Sequence, residues 1–310
     1  MIFPKTHICV CICTYKRPVR LRMLLDKLES QITHDEFTYS VCVVDNDFMR
    51  SAEGVILQTR RSVSYQLAYF VEEIQNIALA RNKAVENATG DYIAFIDDDE
   101  LPADDWLHLI LKTAKQLNAA CVIGPVLPIF ESKPEPWIER GKFYVKCISC
   151  TRQGTGEILK FESTYTANAF VERRIFNSMD EKFLPQFGSG GEDRDFFKRA
   201  MEKGHKIFYC EKAMVYEVIP DERVKRKFMI KRALLRGQVA QANSENGIHG
   251  LVDVLKSAAA ILLYTPALLL LQIGGHHLFI KFLIKDFDHV GKILAYAGVK
   301  IIKEKYLITN

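Results

Sequence analysis

The stretch GDYIAFIDDDELP, residues 90–102, contains an apolar run that ends in four consecutive carboxylates, Asp97 to Glu100. The run DYIAFI (91–96) is typical of a strand that is buried on both faces of a sheet. Adjacent carboxylates repel one another, so their position directly after a buried strand needs a reason. In open parallel sheets, ligands bind at the carboxyl ends of the strands. A cation bound at that edge would neutralise these acids.

Similar strands recur along the first 130 residues and alternate with helical segments. Strands are predicted at 7–15, 38–47, 62–71 and 121–128. Helices are predicted after Pro18, over 76–88 with Gly90 as the C-cap, and after Asp104 or Asp105 as the N-cap. This alternation predicts an α/β fold, with a Rossmann-like, mostly parallel sheet and helices on both faces.

The charge of the 310-residue chain is unevenly distributed. Residues 1–220 carry 28 Lys/Arg and 31 Asp/Glu, a net of −3. Residues 221–250 carry 7 and 3, a net of +4, and residues 281–310 carry 6 and 3, a net of +3. A slightly acidic body is therefore followed by a basic tail, whose centre at 251–280 is apolar. The length suits one large domain or two modest ones.

The cysteines favour a reducing, cytosolic compartment. Cys9, Cys11 and Cys13 alternate along the first predicted strand, as small core residues do, and do not resemble a disulfide framework. Cys147 and Cys150 form a lone CxxC, without the second pair that a zinc site would need. We expect no signal peptide, because the apolar run at 8–13 is short and a polar segment follows it.

Asp97 and Asp99 are candidate metal ligands. Side chains at i and i+2 can point the same way as a strand passes into a loop, so both carboxylates could share one ion. Mg²⁺ and Mn²⁺ prefer carboxylate oxygens and accept phosphate oxygens as further ligands. The alternative is a solvated acidic loop, or helix capping before residue 104.

Two other charged residues have both a functional and a structural interpretation. Asp45 ends the second strand, where it could accept hydrogen bonds from a ribose or a base, or could simply form a turn with Asn46. Arg81 lies within a predicted helix, where it could clamp a diphosphate or form a surface salt bridge.

Glu192 and Asp193 follow a glycine-rich loop, GSGG (188–191), and open a helix. A helix N-terminus stabilises an ionised carboxylate, and the glycines allow close approach of a ligand. A general base benefits from both features. The alternative is a capped helix that follows a flexible loop.

These segments together resemble a known family. CTYKRP (13–18), VVDND (43–47), ALARNKAVENATGDYIAFIDDDELP (78–102) and FLPQFGSGGEDRDFFKRAMEKGH (183–205) occur in the order and at the spacing of the family 2 glycosyltransferases, which have a GT-A fold. The resemblance spans about residues 7–240. It is closest to the enzymes of bacterial exopolysaccharide assembly of the succinoglycan type.

The resemblance implies a nucleotide-sugar donor, with UDP as the family-level expectation. Thr14, Tyr15 and Asp45 would hold the nucleoside, and Arg81 would face the diphosphate. The nucleotide-binding half would be about 1–130.

The resemblance also implies an inverting reaction that depends on Mn²⁺ or Mg²⁺. Asp97 and Asp99 would form the DxD motif, with Asp99 as the direct metal ligand. Asp193 would be the catalytic base, with Glu192 beside it near the acceptor. Asn168 would lie near the donor sugar.

The chain departs from the family at one position. Many members have a late histidine as a further metal ligand, whereas MVYEVIPDERVKR (214–226) has none. Glu217 or Arg223 could take a site role instead. The acceptor half would occupy about 131–240, which gives a catalytic domain of 1–240.

The remaining segment, 241–310, is predicted to be a membrane-associated helical tail. The 24 residues between Lys256 and Lys281 contain no Lys, Arg, Asp or Glu, but Pro266 and the GGHH run at 274–277 interrupt them. Basic flanks on both sides favour an in-plane or re-entrant helix over a single span. A peripheral or monotopic enzyme at the cytoplasmic face of the inner membrane would suit a lipid-linked saccharide acceptor. The alternative is a buried helical subdomain or a dimer interface.

Two other function classes compete with a glycosyltransferase. A nucleotidyltransferase would usually carry a glycine-rich loop after its first strand, and CTYKRP has no glycine. A non-catalytic sugar-nucleotide-binding or scaffold protein would not need both the DxD and the Glu-Asp pair. Nucleic acid is not an expected partner, because the basic residues flank an apolar tail.

Overall fold

A computed structural model of the chain describes residues 5–146, 154–158, 160–242 and 248–299, with the side chains at 242, 248, 249, 269 and 272 outside the description. Two compact units are present. The first contains residues up to Ile129 together with Val145–Val218, and the second contains Phe130–Tyr144 and the residues from Ile219 onward. The domain boundary at residue 240 remains a prediction. The Cys147–Cys150 motif lies outside the described residues.

The strands are β1 (Thr6–Thr14), β2 (Phe37–Asp45), β3 (Gln66–Val71), β4 (Tyr92–Ile96), β5 (Glu100–Pro102), β6 (Cys121–Ile123), β7 (Val126–Phe130), β8 (Gly156–Ile158), β9 (Asn168–Glu172), β10 (Ile207–Tyr209) and β11 (Val215–Ile219). The helices are α1 (Pro18–Leu28), α2 (Glu53–Thr59), α3 (Ile77–Asn87), α4 (Trp106–Gln116), α5 (Pro136–Gly141), α6 (Arg173–Asn177), α7 (Glu192–Glu202), α8 (Arg226–Ala242), α9 (Ile248–Gly274) and α10 (His276–Tyr296).

An eight-stranded sheet in the order β3-β2-β1-β4-β9-β6-β10-β8 forms the centre of the first unit. The four strands β3, β2, β1 and β4 are parallel, as predicted. Strand β9 is antiparallel to both of its neighbours, β4 and β6, so the sheet is mixed. A smaller sheet has the order β5-β11-β7.

The large sheet is buried on both faces, which confirms the α/β fold with helices on each side. Side chains alternate along β1: Ile8, Val10 and Ile12 pack with the leucines of α1, whereas Cys9 and Cys11 pack with the alanines of α3. The cysteines of β1 are thus core residues, as the alternation predicted. Burial of each leucine of α1 stabilises the fold by about 1.5–3 kcal/mol.

Helix α3 spans the predicted segment, but its C-cap is a different residue from the predicted one. Asn76 caps it by accepting hydrogen bonds from the backbone amides of Ala78 and Leu79, at 2.9 and 3.2 Å. Its C-cap, Ala88, is extended, so the prediction that Gly90 is the C-cap is wrong. Gly90 instead turns the chain into β4 with φ of 103°, and a Cβ there would lie 2.6 Å from the carbonyl oxygen of His7. That close approach explains the glycine.

Helix α4 also begins at its predicted position, although without the predicted capping. Asp105 is the N-cap, but its side chain makes no capping hydrogen bond within the described residues. Asp104 instead accepts hydrogen bonds from Lys27, at 2.6 Å, and from Ser30, at 2.9 Å. Asp104 therefore ties the start of α4 to the end of α1.

The second unit is mainly helical. Its core contains Trp137, Ile138, Tyr144, Ile219, Met229 and Ile280. The apolar run of the tail forms most of α9, which continues through Pro266, and Gly275 separates α9 from α10. Within α9, Gly250–Leu268 is long and apolar enough to cross a membrane, judged by length and composition, and 6% of the segment is buried in the protein. Leu262 and Leu263 are 76% and 71% exposed.

Candidate functional site

The carboxyl ends of β1, β2 and β4 place Thr14, Asp45 and the acidic run 97–100 at the same edge of the large sheet. Because neighbouring parallel strands end at the same edge of a sheet, polar residues that follow these strands lie near one another. The acidic run then passes directly into β5 of the smaller sheet.

The middle aspartate of the run is held by two residues of the first β–α connection. The hydroxyl of Thr14 donates to Asp98 Oδ2 at 2.7 Å, and Arg17 Nη1 donates to Asp98 Oδ1 at 3.0 Å and to Asp99 Oδ2 at 3.2 Å. Burial raises the pKa of Asp98 to about 6, and the positive charge of Arg17 opposes that rise. Thr14 and Arg17 therefore order the acidic loop, and neither the Thr14 contact nor Arg17 was predicted.

A buried network that the sequence did not predict lies beside Asp97. Glu100 and Glu217 are directly opposite on the antiparallel strands β5 and β11, and both are buried. Lys146 Nζ lies 3.0 Å from Glu217 Oε2 and 3.5 Å from Glu100 Oε1. Burial and the charge of Asp97 raise the pKa of Glu100 well above its usual range. Burial alone would lower the pKa of Lys146, but Glu217 and Glu100 raise it by more.

Arg81 joins the end of β4 to the start of α7. Its guanidinium forms an ion pair with Glu192, and its Nη2 lies 3.6 Å from Asp97 Oδ1. Arg81 is 8% exposed and Glu192 is 3% exposed, so the pair is buried. The guanidinium also lies 6.0 Å from the ring centroid of Phe183. Arg81 therefore forms a salt bridge, but a buried one, so the alternative of a surface salt bridge is wrong.

A cavity of about 400 Å³ opens next to this pair. The volume is in the range of small-molecule sites. Its lining is Arg81, Asp97, Val145, Lys146, Glu162, Ser163, Thr164, Tyr165, Thr166, Ala167, Asp193 and Arg194. Three of the predicted site residues, Arg81, Asp97 and Asp193, thus meet at one cavity. Asp193 is half-buried and accepts a hydrogen bond from the backbone amide of Arg194 at 2.7 Å.

The other predicted site residues are not among the described residues that line this cavity. Asp45 is fully buried and accepts hydrogen bonds from the amide of Ala52 at 2.8 Å and from the hydroxyl of Tyr69 at 3.1 Å. Tyr15 is half-buried, with the ammonium group of Lys16 5.2 Å from its ring centroid. Their predicted contacts with a nucleoside remain predictions.

Asn168 occupies a structural position at the start of β9. Its side chain is fully buried, accepts from Trp106 Nε1 at 2.8 Å, and donates to the carbonyls of Pro125 and Ala213 at 2.9 and 2.8 Å. Both amide protons are used in these bonds. A contact between Asn168 and the donor sugar remains a prediction.

The acids at the end of β4 suit a hard divalent cation that takes its other ligands from a diphosphate. No group of three or more His, Cys, Asp or Glu side chains within the described ranges is placed to hold a metal. Mg²⁺, however, is commonly bound through one or two carboxylates together with substrate phosphates. The side chain of Asp97 is 40% exposed, whereas that of Asp99 is 9% exposed and already contacts Arg17.

A family model described as glycosyl transferase family 2 matches residues 9–176, which is more than half of the chain. The chain belongs to this family. The resemblance found in the sequence is thereby confirmed, and so is the transferase class. This family 2 glycosyltransferase is 31% identical over 303 residues to succinoglycan biosynthesis protein ExoM of Rhizobium meliloti (strain 1021), an alignment that covers 96% of the chain and 95% of that protein.

Two further similarities cover a shorter stretch of the chain or concern the fold alone. Glucosyl-dolichyl phosphate glucuronosyltransferase of Haloferax volcanii is 33% identical over 108 residues, which cover 34% of each protein. The crystal structure of S. aureus TarS 1–349 in complex with UDP superposes with a TM-score of 0.55 at 13% identity, covering 94% of this chain and 91% of that one. At that identity the likeness shows the fold, and the predicted GT-A fold is confirmed.

Proposed function

We propose that this glycosyltransferase is an inverting, metal-dependent hexosyltransferase. It moves a sugar from a nucleotide-sugar, with a UDP-sugar as the first candidate, to a lipid-linked or polysaccharide acceptor in cell-surface glycan synthesis. The observation that carries the proposal is the meeting of Asp193, Arg81 and Asp97 at one cavity. The similarity to ExoM supports the role in exopolysaccharide synthesis, and the UDP complex of TarS supports UDP as the first nucleotide to test.

Asp193 is the proposed general base. It lies in the first turn of α7, where the helix N-terminus stabilises the ionised carboxylate that accepts a proton. The proton leaves the acceptor hydroxyl for Asp193 as the acceptor oxygen bonds to the anomeric carbon. The bond from that carbon to the diphosphate breaks, and its electron pair leaves with the nucleoside diphosphate. Attack on the face opposite the leaving group inverts the anomeric configuration.

The cations around the cavity suit an anionic donor. Arg81, Lys146 and Arg194 all line it, and charge-assisted hydrogen bonds to phosphate are stronger than neutral ones. Asp97 and Asp99 are the residues that would hold Mn²⁺ or Mg²⁺. A divalent cation at that position would supply neutralisation of the charge that develops on the departing diphosphate.

Nucleotide binding gives the direct test of donor and metal. Thermal unfolding would be measured with UDP, GDP, CDP and dTDP, each with and without Mn²⁺. We expect UDP to stabilise the protein only with Mn²⁺, by about 2.7 kcal/mol at a concentration of 100 times Kd. The Asp97→Asn and Asp99→Asn variants should each reduce the stabilisation by UDP that depends on Mn²⁺. Stabilisation by another nucleotide would change the donor class, and stabilisation by none would contradict the proposed function.

The second unit supports a peripheral or monotopic association with the cytoplasmic face of the inner membrane. Leu262, Leu263, Leu270 and Ile273 of α9 are all more than 70% exposed. Lys281 and Lys285, one turn apart on α10, are exposed as well. Exposed apolar side chains together with basic ones suit an anionic lipid surface, where a lipid-linked acceptor would lie.

Vesicle flotation checks the membrane association. We expect the protein to float with vesicles of phosphatidylcholine and phosphatidylglycerol more than with phosphatidylcholine alone. The Leu262→Gln and Leu263→Gln double variant should lose most of this binding, because it removes apolar surface from the lipid contact. Leu57→Gln, which changes a leucine that is 55% exposed on α2, is the matched control. Equal flotation of all three proteins would contradict the assignment.

A further inference from the structure

One hydroxyl in the wall of the cavity has no partner in the protein. Thr166 is 1% exposed and lines the cavity, two residues before β9. Its Oγ1 is buried and makes no hydrogen bond to any residue that the structure describes. A buried hydroxyl without a partner costs free energy, so such groups are rare in folded proteins.

The neighbouring residues of the same wall show that this is specific to Thr166. Thr164 is equally buried and also lines the cavity, but its hydroxyl donates to the carbonyl of Phe161 at 2.6 Å. The hydroxyl of Tyr165 lies 2.8 Å from the carbonyl oxygen of Gly124. The segment therefore satisfies its hydroxyls within the protein on either side of Thr166.

A second unsatisfied oxygen belongs to a residue adjoining the cavity. Glu192 Oε1 pairs with Arg81, whereas Glu192 Oε2 is buried and has no hydrogen-bond partner among the described residues. Arg81 and Asp193, the ion-pair partner and the chain neighbour of Glu192, both line the cavity. A carboxylate oxygen needs a donor, and a threonine hydroxyl can both donate and accept.

Each of these two oxygens can accept a hydrogen bond that the described residues do not supply. A fully ionised phosphate can only accept hydrogen bonds, so it cannot donate to either oxygen. An apolar group would leave both oxygens unsatisfied. A ligand hydroxyl can donate to a carboxylate and can exchange a hydrogen bond with threonine. The complementary ligand is therefore rich in hydroxyl groups.

We propose that Thr166 Oγ1 binds a sugar hydroxyl in this cavity and helps to determine which sugar the enzyme accepts. The proposal rests on the function proposed above and extends it to one residue. The hydroxyl can belong to the sugar of the nucleotide donor or to that of the acceptor. Both have the same chemistry, and the experiment separates them.

The first measurement needs no ligand. Thr166→Val keeps the shape of the side chain and removes the unpartnered hydroxyl, so we expect it to raise the Tm of the ligand-free protein. Thr164→Val removes a hydroxyl that already donates a hydrogen bond to the carbonyl of Phe161, so we expect it to lower the Tm. A lower Tm for Thr166→Val would contradict the premise, because it would mean that the hydroxyl is satisfied in the ligand-free protein.

The second measurement compares ligands with and without a sugar. Calorimetric titration with Mn²⁺ present would use UDP, UDP-glucose and UDP-galactose, and then methyl glucoside and methyl galactoside in the presence of UDP. We expect Thr166→Val to keep the affinity for UDP. The affinity for a sugar-bearing ligand should fall by roughly 3- to 10-fold, as for the loss of one hydrogen bond. Thr166→Ser, which keeps the hydroxyl, should retain the affinity.

The outcomes distinguish the source of the hydroxyl and the level at which the proposal could fail. Weaker binding of the UDP-sugars alone assigns Thr166 to the donor sugar, and weaker binding of the methyl glycosides alone assigns it to the acceptor. Wild-type protein that binds UDP but gains nothing from any of these sugars, or a Thr166→Val variant that binds them unchanged, overturns the inference alone. Wild-type protein that binds none of the nucleotides overturns the proposed function and the inference with it.

Discussion

Replacing Asp193 by Asn is expected to lower kcat by about 10²- to 10⁴-fold, the usual contribution of a general base, while UDP affinity stays within about twofold of wild type. The carboxamide has nearly the same shape as the carboxylate but cannot take the proton from the acceptor hydroxyl. Asp193 lies at the cavity but is half-exposed, so its loss should not unfold α7. Transfer from a UDP-sugar and calorimetric titration with UDP would be measured on the same preparation.

The matched control is Asp195→Asn on the same helix. Asp195 accepts a hydrogen bond from Arg199 Nε at 2.8 Å, and it is not among the described residues that line the cavity. This change should lower stability slightly and leave kcat within about twofold, as expected for the loss of a partly exposed pair. A parallel loss of transfer and of UDP binding in Asp193→Asn would show that the loop before α7 is structural and that the base lies elsewhere.

The elements of the fold were easiest to predict where burial determines the local amino-acid composition. A parallel strand covered on both faces is apolar throughout, so β1, β2 and β4 could be predicted together with their polar carboxyl ends. The direction of β9 could not, because a strand of five residues has the same composition whichever way it enters the sheet. The C-cap of α3 was mispredicted for a similar reason, since Gly90 is required by its contact with His7, far away in the chain.

In the site, the meeting of residues at one cavity was easier to predict than the partners of those residues. Asp97, Arg81 and Asp193 do share a cavity, as their motifs indicated. The ion pair of Arg81 with Glu192 and the Lys146 network join segments that are distant in sequence, and no local pattern indicates them. Lys146 is a single lysine in the run FYVKC (143–147), and nothing in that run indicates that it pairs with Glu217 and Glu100. Whether the hydroxyl of Thr166 has a partner depends on where the neighbouring donors and acceptors lie in the folded protein, which the sequence does not show.

The Arg81–Glu192 pair is expected to be the most costly single contact to break in the first unit. Removing one partner of a buried ion pair leaves an uncompensated charge, which costs about 3–5 kcal/mol. We therefore expect Arg81→Met to lower the free energy of unfolding by about that amount. The chain has two tryptophans, so in a Trp137→Phe background the fluorescence of the fully buried Trp106 reports urea unfolding of the first unit.

Two further variants separate a buried-charge effect from a diphosphate-binding role. In the Arg81→Met, Glu192→Gln double variant no charge of the pair remains, so most of the lost stability should return while transfer stays impaired. Arg22→Met is the exposed control: its i,i+4 partner is Asp26, the two side chains are 37% and 51% exposed, and the expected cost is at most about 0.5 kcal/mol. If Arg81→Met cost no more than Arg22→Met and only weakened UDP binding, Arg81 would act on the diphosphate alone. Recovery of stability without recovery of activity in the double variant would show that Arg81 balances the buried charge of Glu192 and also contributes to transfer, because the two effects would then have separate origins.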